Sequence, residues 1–377
     1  MDQKTIKIGI VGLGKIGRTH AEAYRQVETQ MPAAAFSPSI QAVLRSHIGG
    51  EEEFLGKIGS PQVLTDSQEF FSQPLDLVDI CTPNFLHLAA VEQALENRLN
   101  LYCEKPLAMN VHEARRMAEL ARKAGVLTHM AFVFRYFPHF RKMAELVADG
   151  LIGNPNHFRI NMYHSGYLNT ERPYTWRLNQ AASGGGALAD LGSHLIDLVH
   201  YIVGDTAWVQ CETRTFIPDR PVPDGSGRRE KVDVDDWALL TLGLKNGAVG
   251  TLEVSRLAGG MPHDNRMEIF GSKGSLVGNY EDPRHVRHFS QASGEWHTLD
   301  AMDVKGGLPL KAEWQKDEGY EEFFITSHLA SIYDFLGCVN EGRKSSIDIE
   351  AGLRTQEVQD AAYSSAARGG VRIEIPG

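Results

Sequence analysis

The stretch that most constrains this chain is Lys4–Gly17, KTIKIGIVGLGKIG. Ile6, Ile8, Ile10 and Val11 form a β-branched run, the pattern of a strand buried on both faces. It leads straight into Gly12-Leu13-Gly14-Lys15-Ile16-Gly17 and then into a helical pattern over Thr19–Val27. Strand, glycine turn and helix in that order suit a dinucleotide. Gly12 makes the turn, Gly14 lets backbone approach a pyrophosphate, and Gly17 lets helix and strand pack closely. Lys15 and Ile16 open the helix, whose unpaired N–H groups and partial positive charge face the phosphates.

The alternation continues. Ile40–Leu44 reads as the second strand, after a loop over Gln30–Ser39. An acidic residue at this strand end normally accepts the ribose hydroxyls of NAD. Here the residues are Leu44-Arg45-Ser46-His47. Arg45 and Ser46 suit a ribose 2′-phosphate, so NADP is favoured slightly over NAD; the alternative is a shifted register with Arg45 solvated. Strands follow at Val63–Leu64, Leu77–Cys81, Asn100–Cys103 and Leu127–Phe132, with helical patterns at Ser67–Phe71, Leu86–Glu96 and Val111–Ala124. This is the grammar of a doubly wound parallel sheet, whose ligands lie beyond the strands' carboxyl ends. Thr82-Pro83-Asn84 and Glu104-Lys105-Pro106 occupy two such ends.

From about Phe158 the pattern changes to strand-like runs at His157–His164, Thr206–Phe216, Trp237–Leu244, Ala248–Ser255, Arg266–Gly271 and Ser275–Tyr280, with hairpin signals such as Lys245-Asn246-Gly247. Helices are expected at Ala187–Val203, Phe323–Asn340 and Glu350–Arg368, an edge strand at Val371–Ile375, and a mobile surface loop over Asp219–Arg229. The fold class is therefore α/β. A Rossmann-type parallel sheet spans residues 1–133, and an α+β domain with a large, mostly antiparallel sheet spans 134–377. The last strand or helix is a candidate to pack back on the first domain. The balance of 38 basic and 48 acidic side chains, a net charge of −10, argues against nucleic acid or an anionic membrane as partner. Cys81, Cys103, Cys211 and Cys338 are scattered and read as buried thiols. With no signal-peptide pattern and no apolar run of membrane-spanning length, the expectation is a cytoplasmic protein.

Two groups of residues carry chemistry. Lys105 follows a buried strand and precedes a proline, where a lysine beside a desolvated cofactor is suited to proton handling; read blandly, Glu-Lys-Pro is a turn. Asp190 and His194 stand four apart in an otherwise apolar helix, where a charged pair is expensive unless used or satisfied. Imidazole exchanges protons near neutrality, and a carboxylate one turn away can orient it. The spacing fits equally an Asp favoured by the helix dipole and a structural His. His164, His194 and His200 lack metal-ligand spacing, so no metal is expected. Tyr163, His164, Trp176 and Arg177 mix aromatic faces with polar groups as a sugar site would, although Trp176 could equally plug a core. Asp233–Asp236 reads as a strand-start charge cluster, with Trp237 in the core.

Taken together, Gly12–Gly17, Thr82-Pro83-Asn84 with His87, Glu104-Lys105-Pro106 and Asp190-Leu191-Gly192-Ser193-His194 resemble, in order and over nearly the whole chain, the Gfo/Idh/MocA oxidoreductases. The resemblance implies an NAD(P)-dependent dehydrogenase of a sugar or cyclic polyol. In it Lys105, Asp190 and His194 form the catalytic group, and Thr82, Asn84, His87 and Glu104 surround the cofactor. It also implies a homodimer or homotetramer. In the segment Phe132-Val133-Phe134-Arg135-Tyr136, Val133 stands where the family often has Asn, and Arg135 is assigned to the substrate site. Trp176-Arg177 resembles a segment of the family's inositol and sugar dehydrogenases. The rival readings are a redox-recycling epimerase or glycosidase, and a sugar- or cofactor-sensing regulator without chemistry.

Overall fold

The computed structural model describes residues 3–31, 34–261, 263–305 and 320–376. The chain forms two compact units: Met1–Val133 with Leu308–Leu353, and Phe134–Gly307 with Arg354–Gly377.

In the first unit, β1 (Lys4–Val11), β2 (Phe36–Leu44), β3 (Gln62–Leu64), β4 (Leu77–Ile80), β5 (Asn100–Cys103) and β6 (Thr128–Met130) form one sheet. All are parallel, in the order β3-β2-β1-β4-β5-β6. The β-branched run does what its composition dictates: Ile6, Ile8 and Ile10 are fully buried, as are Leu77, Val78 and Ile80 beside them. The helices begin and end on local chemistry. At Val111–Ala124, the Asn110 side chain accepts the N–H groups of His112 and Glu113, and Gly125 closes the helix in the left-handed region at φ 67°. The strand order reverses between β1 and β4, the point at which such sheets bind ligands. β2 begins at Phe36, four residues earlier than its composition suggests, because Phe36–Ser39 pairs along β1 from Lys4.

The second unit is built on nine strands: β7 (Pro155–Tyr163), β8 (Thr206–Arg214), β11 (Trp237–Leu244), β12 (Val249–Ser255), β13 (Asp264–Gly271), β14 (Gly274–Asn279), β15 (His285–Ser290), β16 (Glu295–Asp300) and β17 (Ile373–Glu374). Their order is β16-β15-β14-β13-β7-β12-β11-β8-β17, antiparallel throughout except for the β7–β12 pair. Alternate residues such as Leu252 and Val254 face the core. A helix at Pro138–Ala148, opened by Pro138 in its first turn, packs on one face. It comes so close that a Cβ on Gly278 would fall 2.6 Å from Met143 Sδ.

The segment expected to be a mobile loop is instead a hairpin. Residues 219–221 (β9) pair antiparallel with residues 229–231 (β10). Trp237 is also not in the core: it is half-buried, and its indole N–H donates to Glu253 at 2.7 Å. All four cysteines are free and buried. Among the described residues, no helix is long and apolar enough to cross a membrane.

Candidate active site

The glycine turn after β1 has the shape a pyrophosphate requires. Gly12 adopts φ +93°, with the Cys81 carbonyl oxygen 3.0 Å from where a Cβ would stand. A Cβ on Gly17 would lie 2.1 Å from the Gly12 carbonyl oxygen, so strand and helix pack only without it. Gly14 is the opposite case, with nothing within 4 Å. It caps helix Lys15–Gln30, which has no side-chain cap and no acidic residue in its first turn. Open backbone at an uncapped, electropositive helix start fits a dinucleotide phosphate. Gly14→Ala is therefore expected to leave the melting temperature unchanged while weakening NADH binding by roughly tenfold or more. Gly17→Ala is expected to fail first in folding. Thermal melts and NADH titrations of the two variants separate these outcomes.

Arg45 and Ser46 follow β2. The Arg45 guanidinium faces the Glu51 carboxylate at 3.3 Å and His47 Nε2 at 2.6 Å, and Arg18 of the first helix pairs with the same Glu51. Ser46 Oγ lies 3.2 Å from His47 Nδ1.

The residues beyond β4 and β5 lie along the same sheet edge. Asn84 is buried and opens a short turn before helix His87–Glu96. His87 is fully buried, its Nε2 3.0 Å from the Thr82 carbonyl and its Nδ1 3.1 Å from that of Pro106, so one ring ties the two loops together. Burial holds its pKa below the usual imidazole range. Glu104 is buried too, and its Oε2 accepts the backbone N–H of Lys105 at 3.1 Å.

Behind Glu104 lies a group that sequence reasoning missed. His20 Nε2 is 3.1 Å from Glu104 Oε1 and 3.2 Å from His328 Nδ1; its Nδ1 donates to Asp79 at 2.9 Å. Cys81 Sγ is 3.2 Å from His20 Nδ1. Burial works against a charged imidazole, but Asp79 and Cys81 outweigh it and raise the His20 pKa well above its ordinary value. Burial likewise opposes ionisation of Glu104, yet the adjacent His20 holds it down to about 2. Burial, helped by the charge on His20, takes the neighbouring His328 down to about 3. Two sets, His20 with Asp79 and Cys81 and His20 with Glu104 and His328, place donor atoms within 4.8 Å of one another, as a metal would need. Within this cluster Asp79 and Glu104 flank the His20 ring as counter-charges, while Glu104 Oε1 and His328 Nε2 make no hydrogen bond among the described residues. The one sequence signal was Asp79 itself, a carboxylate inside a fully buried strand.

In the second unit, Asp190 sits in a π-helical turn, Leu188–Gly192, that runs on into helix Ser193–Ile202. Single π turns within helices occur frequently at functional sites. The helix start is held from two sides. Asp235 accepts the N–H groups of Gly186 and Leu188 at 2.9 and 2.8 Å and the Tyr363 hydroxyl at 2.8 Å. Gln359 donates to the carbonyls of Leu188 and Ala189. Gly186 is required there, since its Cβ would fall 2.0 Å from the Asp235 carbonyl oxygen. The cluster over Asp233–Asp236 thus binds backbone: Asp233 accepts from Gln180, and Asp236 from Phe216 and Ile217. His194 is buried and stacks on Phe134, ring centroids 4.1 Å apart. The Asp190 side chain is 31% exposed and accepts from Arg256 Nη2 at 3.1 Å.

Of the other sequence candidates of this unit, His164 lies within reach of the charges of Asp190 and Arg256, its ring centroid 5.8 Å from that of Tyr167. His164 Nδ1 accepts the Gly166 N–H at 3.0 Å, and burial takes its pKa down to about 4. The Tyr163 hydroxyl donates to Glu253 at 2.6 Å. Arg177 lies over the Trp176 ring at 4.4 Å. Arg135 forms a buried two-point pair with Asp197, at 2.8 and 2.6 Å, and covers Tyr201. His200 Nε2 is 3.0 Å from the Thr206 hydroxyl.

Two family models match most of the chain. Residues 6–132 match a model described as the oxidoreductase family, NAD-binding Rossmann fold, and residues 140–277 match the GFO/IDH/MocA C-terminal domain. Levoglucosan dehydrogenase of Pseudarthrobacter phenanthrenivorans is 28% identical over 97% of both chains. A solved levoglucosan dehydrogenase, in complex with NADH and L-sorbose, superposes with a TM-score of 0.91 at 27% identity, covering 98% of this chain and 99% of that one. Myo-inositol 2-dehydrogenase of Thermotoga maritima is 29% identical over 72% of this chain and 74% of its own. An oxidoreductase domain protein from Kribbella flavida is 30% identical over the full length of both, with a TM-score of 0.90. With both family models matched and this likeness over its full length, the chain belongs to the Gfo/Idh/MocA family of NAD-binding oxidoreductases.

Proposed function

We propose that this enzyme oxidises a ring secondary hydroxyl of a sugar or cyclic polyol to the ketone, with NAD as acceptor. The observation that carries the reading is the anchoring of its two sets of chemical groups. The Lys105 backbone is fixed beside Glu104, and Asp190 and His194 are mounted on a helix start held by Asp235 and Gln359. The names of two relatives similar over most of their length, a levoglucosan and a myo-inositol dehydrogenase, support the substrate class.

Gly12, Gly14 and the start of helix Lys15–Gln30 would hold NAD, with Thr82 and Asn84 along the same sheet edge, and NAD when bound would supply the hydride acceptor. His194 takes the hydroxyl proton as the carbinol hydrogen leaves as hydride, so the alcohol becomes a ketone and one proton is released. Lys105 hydrogen-bonds the reacting oxygen, and Asp190 orients His194 or a neighbouring hydroxyl. Tyr163, His164, Trp176 and Arg177 are the candidates for reading the rest of the ring. Arg135 acts structurally, its guanidinium being spent on Asp197.

The residues after β2 support NAD over NADP, against the leaning that Arg45 and Ser46 give in isolation. Arg45 and Arg18 both face Glu51, so a carboxylate stands between them, suited to ribose hydroxyls and repelling a 2′-phosphate. Turnover of levoglucosan, glucose, methyl glucosides and inositols, followed by nicotinamide absorbance with each cofactor, tests the whole reading. Reduction of NAD by at least one ring substrate is expected; none with any of them would overturn it. Glu51→Gln is expected to shift the NAD-to-NADP preference by about tenfold or more toward NADP. An unchanged ratio would remove Glu51 from the cofactor site.

A further inference from the structure

Arg220 and Arg256 head the fully buried side chains of the described structure, at 0% and 1% exposure, and both are built around Tyr167. A guanidinium is costly to bury unless its charge is used. Arg220, in β9, donates to the Tyr167 carbonyl at 2.5 Å and also to that of Asn169. Arg256 follows β12. Its backbone N–H donates to the Asp236 carbonyl at 3.0 Å, and its own carbonyl accepts the Tyr167 N–H at 3.1 Å. The Tyr167 ring lies 4.8 Å from the Arg256 guanidinium and 4.1 Å from that of Arg172. Tyr167 itself is set in a small core with Leu178, Val232 and Val234, the last two just beyond β10.

The hydrogen bond that Arg256 makes from this cage is to Asp190 Oδ2; its Nε and Nη1 meet no acceptor among the described residues. The buried contacts therefore run from the β9–β10 hairpin through Tyr167 and Arg256. They end on Asp190, whose side chain reaches solvent.

We propose that Arg256, steered by Tyr167 and the Arg220 hairpin, is a positioning residue that fixes the Asp190 carboxylate for substrate. This rests on the reading of Asp190 as a site residue. A guanidinium confined by a ring face and by backbone at both ends holds its donor in one direction, which an ammonium on a flexible stem does not. The hairpin thus sets the orientation of a group in the active site without touching substrate.

The test is a double-substitution cycle on the full-length enzyme, with levoglucosan and myo-inositol as substrates. Arg256→Lys is expected to lower kcat/KM by about 10²-fold, mainly in kcat. NADH affinity should stay within about twofold, because the cofactor groups belong to the other unit. In an Asp190→Asn background the same change should have no further effect. Full activity in Arg256→Lys, or losses that multiply in the Asp190→Asn background, would overturn the proposal. An Asp190→Asn variant with unimpaired activity would instead remove Asp190 from the site. If Arg256→Lys does not fold, Tyr167→Leu, which removes the steering ring, should show the same non-additivity. If neither ring is oxidised, crystals of Arg256→Lys decide. Asp190 turned to another rotamer supports the proposal, and Asp190 unmoved ends it.

Discussion

Lys105→Ala is expected to lower kcat by about 10²–10⁴-fold while NADH binds with unchanged affinity. The backbone around Lys105 is anchored independently of its side chain. Glu104 Oε2 holds the Lys105 N–H, and His87 Nδ1 lies 3.1 Å from the Pro106 carbonyl. Truncating the side chain should therefore remove an ammonium and little else. Lys105→Arg keeps the charge but replaces a compact donor by a planar fork, and should recover only a small part of the rate. Steady-state kinetics beside a fluorescence titration with NADH separate the two effects. A Lys105→Ala enzyme within about tenfold of wild type in kcat would take Lys105 out of the chemistry.

The second large effect is on stability. His20→Ala leaves Asp79 and Glu104 buried without the cation between them, a loss of about 3–5 kcal/mol. In a unit of this size that corresponds to a fall of roughly 10 °C in melting temperature. The pH dependence has a definite sign. Glu104 is held below its ordinary 4.5, so its contribution is present above that value and lost as pH falls toward about 2. His20 is raised above its ordinary 6.5, so its contribution is complete below that value and lost as pH rises through its folded value. The gap between wild type and His20→Ala should therefore be widest between pH 4.5 and 6.5. Melting curves across this range measure it, and a gap of less than about 2 °C throughout would show that the cluster contributes little.

The centre of the parallel sheet was legible because the end of β1, β4 and β5 are buried on both faces, whereas β2, mostly half-buried and opening on Phe36-Ser37-Pro38-Ser39, hid its start. The second unit was legible only where one face is buried. In β16 every residue but Leu299 is exposed, so no alternation marks it, and β15 carries buried residues only at Val286 and His288. The β9–β10 hairpin was hidden for a related reason: its buried side chain is an arginine, which composition assigns to the surface. The same divide holds in the site. Asp190 and His194 stand out as charges on an apolar helix, whereas Arg256 owes its place to Tyr167 and Asp236, remote in sequence. Glu51 was missed because its pairing with Arg45 and Arg18 crosses a loop.

The interleaving of the two units bears on how the protein is made. His20 lies in the first 133 residues, but His328 beside it and Ser331, which takes the Tyr102 hydroxyl at 2.8 Å and His129 Nε2 at 3.1 Å, come from helix Tyr320–Glu341. The strand β17, which pairs with β8, comes later still. A growing chain therefore emerges from the ribosome with both cores unfinished, and neither closes until helix Tyr320–Glu341 and the residues after it have been made. A chain cut just before that helix would leave His20, Tyr102 and His129 without His328 and Ser331, and is expected to meet proteases rather than to work as a smaller protein.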